Sequence, residues 1–148
     1  MPEQALQNET IVIRKLIAAT REEVFQAWTD PESMRHWMRG REDMQEAEAH
    51  LDVRPGGTFR ITMKGKERNY EHTGQYRVVE PPSRLVFTWI SKATDEQETI
   101  VTVELKPHGT ECELTLTHEK LPGKEAASNH ENGWTRIVEL LARYLAKK

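Results

Sequence analysis

His72 and Tyr76 lie four residues apart in a run of alternating character, so they share one strand face with Gly74 and Val78. If Val78 faces an apolar interior, a histidine and a phenol face it too, and each must find a partner there. Such groups could hold the carbonyl or hydroxyl of a ligand, or act as acid and base in a dry pocket. The plainer alternative leaves the Tyr76 hydroxyl in water at a rim and bonds His72 to a neighbouring carbonyl. His118 extends the face of Leu114 and Leu116, which puts it near the end of a sheet, at the mouth of any cavity, where it could titrate near neutral pH. A satisfied structural histidine is the competing reading. Gly74, in mid-strand, marks a bend in the sheet or a close approach to the backbone, and the bend is favoured.

Other chemistries find no signature. The six histidines, His36, His50, His72, His108, His118 and His130, include no pair at helical i,i+4 spacing, and the chain has a single cysteine, so neither a metal nor a cofactor is expected. Ser33, Ser83, Ser91 and Ser128 sit in capping or turn contexts, with Ser128 and Glu131 spaced as a capping box. Pro55-Gly56-Gly57 falls between two strand-like runs and reads as a hairpin turn, not a phosphate loop. Cys112 shares parity with Leu114 and Leu116 and reads as a small buried hydrophobe.

A net charge of −3, with basic and acidic residues intermixed, argues against a nucleic-acid partner. Arg39, Arg41, Lys147 and Lys148 are expected to be solvated surface. No stretch approaches the ~20 apolar residues that span a bilayer. The amino terminus carries no basic segment followed by an apolar run, and with one cysteine the expected location is the cytoplasm. The 148 residues suit one domain with a real core, 1–148.

The elements that must position these groups follow from two periods. A short β-type run around Ile11 and Ile13 ends at Ala18-Ala19-Thr20. Thr20 and Glu23 have capping-box spacing, and Val24, Ala27 and Trp28 then fall on one helix face. Asp30-Pro31 starts a second short helix that buries Met34, Trp37 and Met38. From Glu46 the period becomes two, and turns at Pro55-Gly56-Gly57, Gly65 to Asn69, Pro81-Pro82-Ser83, Thr94 to Gln97 and Pro107-His108-Gly109 divide six strands. Last comes a long helix, starting between Lys124 and Asn129, with Trp134, Ile137, Val138, Leu141, Tyr144 and Leu145 on its buried side. The result is an α+β chain: a curved, largely antiparallel sheet wrapped around a carboxy-terminal helix, with two short helices after the first strand.

Five segments in order carry a resemblance: Ala27-Trp28-Thr29-Asp30-Pro31-Glu32, Trp37, Asp52 to Gly57, Glu80 to Trp89, and His130-Glu131-Asn132-Gly133-Trp134. Together they resemble the bacterial homologues of the activator of heat shock protein 90 ATPase, within the START-like or SRPBCC superfamily that also holds the Bet v 1-like proteins and polyketide cyclases. The resemblance implies the helix-grip fold, an apolar cavity and a link to stress response. Many relatives follow Trp37 with a second tryptophan, where this chain has Met38.

The leading expectation is therefore a non-enzymatic protein that binds a small hydrophobic or aromatic molecule, lipid-, flavonoid- or polyketide-like, in a hollow between sheet and helix. Its expected lining from the strands is Phe59, Ile61, Met63, Trp89, Val101 and Val103, with His72, Tyr76 and His118 as polar contacts. Trp37, Trp134, Ile137, Val138 and Leu141 complete it from the helices. Two alternatives follow from the resemblance: a co-chaperone that stimulates the chaperone ATPase, and a cyclase- or dehydratase-like enzyme using His72, Tyr76 or His118. A homodimer is compatible with the resemblance, although no exposed apolar stripe in the sequence requires one.

Overall fold

Alternation of apolar and polar residues builds most of this chain, and a computed structural model describes residues 8–146 of it. The amino-terminal residues that were read for a leader, and Lys147 and Lys148, which were expected at the surface, lie outside the described residues. The element order is β1 (Asn8–Ile17), α1 (Arg21–Thr29), α2 (Pro31–Trp37), β2 (Glu46–Leu51), β3 (Thr58–Lys64), β4 (Asn69–Glu80), β5 (Arg84–Trp89), β6 (Thr99–His108), β7 (Glu111–Pro122) and α3 (Lys124–Ala146). A 3-10 turn, Lys92–Thr94, joins β5 to β6.

Both short helices start where the caps said they would. Thr20 Oγ1 accepts from the Glu23 amide at 3.2 Å, and the Glu23 carboxylate accepts from the Thr20 amide at 2.9 Å. Asp30 caps α2 by accepting from the Glu32 amide at 3.1 Å, with Pro31 in the first helical position. α3 begins at Lys124, at the early end of the expected range, so Ser128 is an exposed residue within the helix and not its cap.

All seven strands form one sheet in the order β1-β7-β6-β5-β4-β3-β2, and every neighbouring pair is antiparallel. Strands β2 to β7 are a meander, while β1 closes against β7 and α1 and α2 carry the chain across to the far edge at β2. α3 lies along β1 and β7, and α2 packs on β2 and α3, which is the helix-grip arrangement. On α3 the buried stripe runs Ala126, Ala127, His130, Trp134, Ile137, Val138, Leu141 and Leu145. Tyr144 lies at its margin, half-buried: it stacks on His36 at 5.4 Å and donates to Ser33 Oγ at 3.3 Å, tying α3 to α2.

Two details of β4 were not legible in its alternation. The β4–β5 register shifts between Tyr76 and Val78, so Val79 packs on the core while Val78 does not, contrary to the expected parity. At Gly74 a Cβ would overlap the Thr88 carbonyl oxygen and come within 2.5 Å of the Phe59 ring. Close approach is what excludes a side chain there, and it occurs where the Thr88 hydroxyl takes the Gln75 amide at 2.8 Å in the ladder to β5. Cys112 is fully buried, as its parity implied, and burial lifts its thiol to about 11. On the edge strand β1, Val12 and Leu16 are 45% and 49% exposed, an apolar pair that alternation alone did not single out.

Candidate functional site

Between the sheet and the three helices lies a cluster of aromatic rings. β3 to β5 contribute Phe59, Tyr76, Phe87 and Trp89, α1 and α2 contribute Trp28 and Trp37, and α3 contributes Trp134. Trp28 meets Trp37 edge-on with centroids 4.9 Å apart, Trp89 meets Trp134 at 5.0 Å, and Phe59 meets Phe87 at 5.5 Å. All four tryptophans are at most 2% exposed.

These rings correct the expectation of an open hollow. The void among Trp28, Met34, Met38, Phe59, Ile61, Tyr76, Leu85, Phe87 and Trp89 measures about 10 Å³, the room of roughly one water molecule. Four indoles, two phenyl rings and two methionines occupy the space that smaller side chains would leave. Of the residues expected to line a cavity, Phe59, Ile61, Tyr76 and Trp89 border this void. Met63, Val101, Val103, Ile137, Val138 and Leu141 lie in the packed core away from it, and Trp37 stands behind Trp28.

The polar groups form a chain at one side of the cluster. Trp134 Nε1 donates to His118 Nδ1 at 2.9 Å, so the imidazole proton resides on Nε2 and is donated to Thr99 Oγ1 at 2.7 Å. The Thr99 hydroxyl in turn donates to the Trp89 carbonyl at 2.6 Å. Both nitrogens of His118 are thus committed inside the protein. His118 is fully buried rather than placed at a mouth, and desolvation, with the nearby His130, draws its pKa down to about 3 instead of leaving it near neutral. No free nitrogen remains for proton transfer or for a metal.

His72 follows the plainer of its two readings. Its Nδ1 donates to the Ile61 carbonyl at 3.3 Å, its ring lies 4.7 Å from Trp89, and burial lowers its pKa to about 4. Tyr76 is buried rather than at a rim, and desolvation followed by the charge of Asp52 raises its phenol above the ordinary value. His130, overlooked as one of six scattered histidines, donates from Nδ1 to the Ala126 carbonyl at 2.7 Å and stands edge-on to His118 at 4.9 Å, with its pKa lowered by burial. Its position four residues before Trp134 on the α3 stripe was the signal. Thr99, near the start of β6, carried none.

Two buried donors have no protein partner among the described residues: Trp28 Nε1 and Trp37 Nε1. No group of three or more His, Cys, Asp or Glu suited to a metal occurs among them, and no helix there is long and apolar enough to cross a membrane. Outside the cluster, a surface cleft of about 280 Å³ separates α2 from β2, bordered by Pro31, Glu32, Arg35, Glu46 to Ala49 and Lys64.

Residues 18–146 match the model of the family described as activator of Hsp90 ATPase homolog 1-like protein. No curated protein matches the chain. Among solved structures it is similar to an AHSA1-like protein from Aeromonas hydrophila at 23% identity, covering 94% of this chain and 93% of that one with a TM-score of 0.79. It is also similar to CalU16 from Micromonospora echinospora, at 24% identity, 93% and 76% coverage and a TM-score of 0.72. A protein from Rhizobium loti gives 26% identity, 93% and 97% coverage and a TM-score of 0.74.

Proposed function

The chain belongs to the family of activator of Hsp90 ATPase homolog 1-like proteins, and on that premise we propose that it binds a small, flat, apolar molecule inside its START-like unit, as a single domain. The observation that supports this is the unequal wall of the small void. Aromatic rings from the sheet and α1 make one side, and Met34 of α2 with Met38 just past its end make the other. Methionine side chains change rotamer cheaply, so this side can yield while the rings keep their faces for stacking.

Opening is expected at α2. This helix has seven residues, and its ties to α3 include the Tyr144 hydroxyl on Ser33 and the Tyr144–His36 stack. The cleft between α2 and β2 offers the route in. Binding therefore displaces α2 and carries a conformational cost, which favours ligands that recover it by burying aromatic area.

Isothermal titration and thermal shift with tetralin, flavone and palmitate test the reading. Saturable binding of at least one probe with a negative heat-capacity change is the expected result. Absence of saturable binding by all three, at concentrations up to their solubility, overturns it.

A further inference from the structure

Buried hydrogen-bonding groups elsewhere in this core are paired with care. His118 spends both nitrogens, Thr99 both donates and accepts, and His72 and His130 each engage a backbone carbonyl. Against that background Trp28 Nε1 and Trp37 Nε1 stand out, since the protein supplies neither with an acceptor. Trp28 is 1% and Trp37 0% exposed, so bulk water does not serve them. A donor left in this condition forfeits the free energy of its lost hydration. Trp28 also borders the void, and Trp37 meets its ring edge-on.

We infer that Trp28 Nε1 is the polar recognition element of the ligand site, and that it selects aromatic or alicyclic molecules bearing a carbonyl oxygen. A carbonyl oxygen has lone pairs and no proton, so donors alone satisfy it, and the two unpaired groups here are both donors. This assignment moves the polar contact away from His72, whose Nδ1 is held by Ile61, and from His118, which has no free nitrogen. A trapped water is a poorer fit: about 10 Å³ is at the lower limit for one, and the residues around the void are mostly apolar, whereas a held water wants two to four polar partners.

The inference rests on the binding reading above, and a matched pair of probes separates the two. Tetralin and 1-tetralone differ by one carbonyl. Wild-type protein is expected to bind 1-tetralone about tenfold more tightly than tetralin, the ratio for one hydrogen bond to an otherwise unpaired buried donor. Trp28→Phe should bring that ratio close to one whatever its effect on tetralin affinity, because the ratio compares two probes of nearly the same shape in the same variant. In wild-type protein the Trp28 indole N–H resonance should move downfield with 1-tetralone and stay near its free position with tetralin, which decides the matter even if the variant does not fold. Equal affinity for the two probes, or a ratio unaltered in Trp28→Phe, overturns the carbonyl assignment alone. If neither probe binds, the assignment and the ligand-binding reading fall together.

Discussion

Acidification should unfold this protein earlier than its carboxylates would, because its interior holds three histidines that must stay neutral. His118 falls to about 3 and His72 to about 4 from an ordinary 6.5, in each case chiefly through desolvation, and His130, edge-on to His118, is lowered too. A lowered folded-state pKa means that the unfolded chain binds more protons between the two values. The stability is therefore fully present above pH 6.5 and is lost as pH falls toward 4 and then 3. At pH 5, compared with pH 8, this amounts to about 2 kcal/mol for His72 and about 2 kcal/mol for His118, roughly 4 kcal/mol together. That is a large share of the ~5–15 kcal/mol that holds a domain folded. The lowered surface carboxylates Asp43 and Glu48, held by Arg41 and Lys64, act below their ordinary 3.8 and 4.5 and so outside this interval. Urea denaturation followed by circular dichroism at pH 8, 7, 6 and 5 measures the effect, and its slope gives the protons taken up on unfolding, expected to reach about two near pH 5. His118→Gln should lower stability at pH 8 yet reduce that uptake by about one. A level stability from pH 8 to 5, or an unchanged slope in His118→Gln, refutes the reasoning.

Thr99→Val keeps the side-chain shape but strands the His118 Nε2 proton and the Trp89 carbonyl; a loss of about 2 kcal/mol in urea denaturation is expected, and a neutral result would mean the chain of bonds contributes nothing. Gly74→Ala would drive a methyl into the Thr88 carbonyl and the Phe59 ring, and about 3 kcal/mol should be lost, read as a lower denaturation midpoint, with an unchanged midpoint counting against the close approach.

Much of the architecture was legible because it depends on local periods and caps. Thr20 with Glu23 and Asp30 with Pro31 start their helices through contacts within three residues, and most strands display their buried side every second residue, β5 excepted, where Leu85 to Trp89 are all buried. The stripe from Trp134 to Leu145 identified the inner face of α3 in the same way, apart from Tyr144, whose place at the margin depends on α2 docking beside it. Val78 was misassigned to the core because a register shift leaves no mark on polarity: both it and Val79 are valines, and only pairing with β5 selects between them.

What the residues alone determined, then, is which side chains enter the interior; what they do to one another there was decided by the assembled fold. The partners of His118, Trp134 sixteen residues away and Thr99 nineteen away, depend on β6–β7 register and on where α3 settles, so its apparent place at a cavity mouth turned into a fully bonded interior position. Likewise, the same list of tryptophans, phenylalanines and methionines is compatible with a hollow or with a filled core. Ring orientation and helix distance, which arise only when sheet and helices close on each other, reduced that space to about 10 Å³ and left the donors of Trp28 and Trp37 without a protein acceptor.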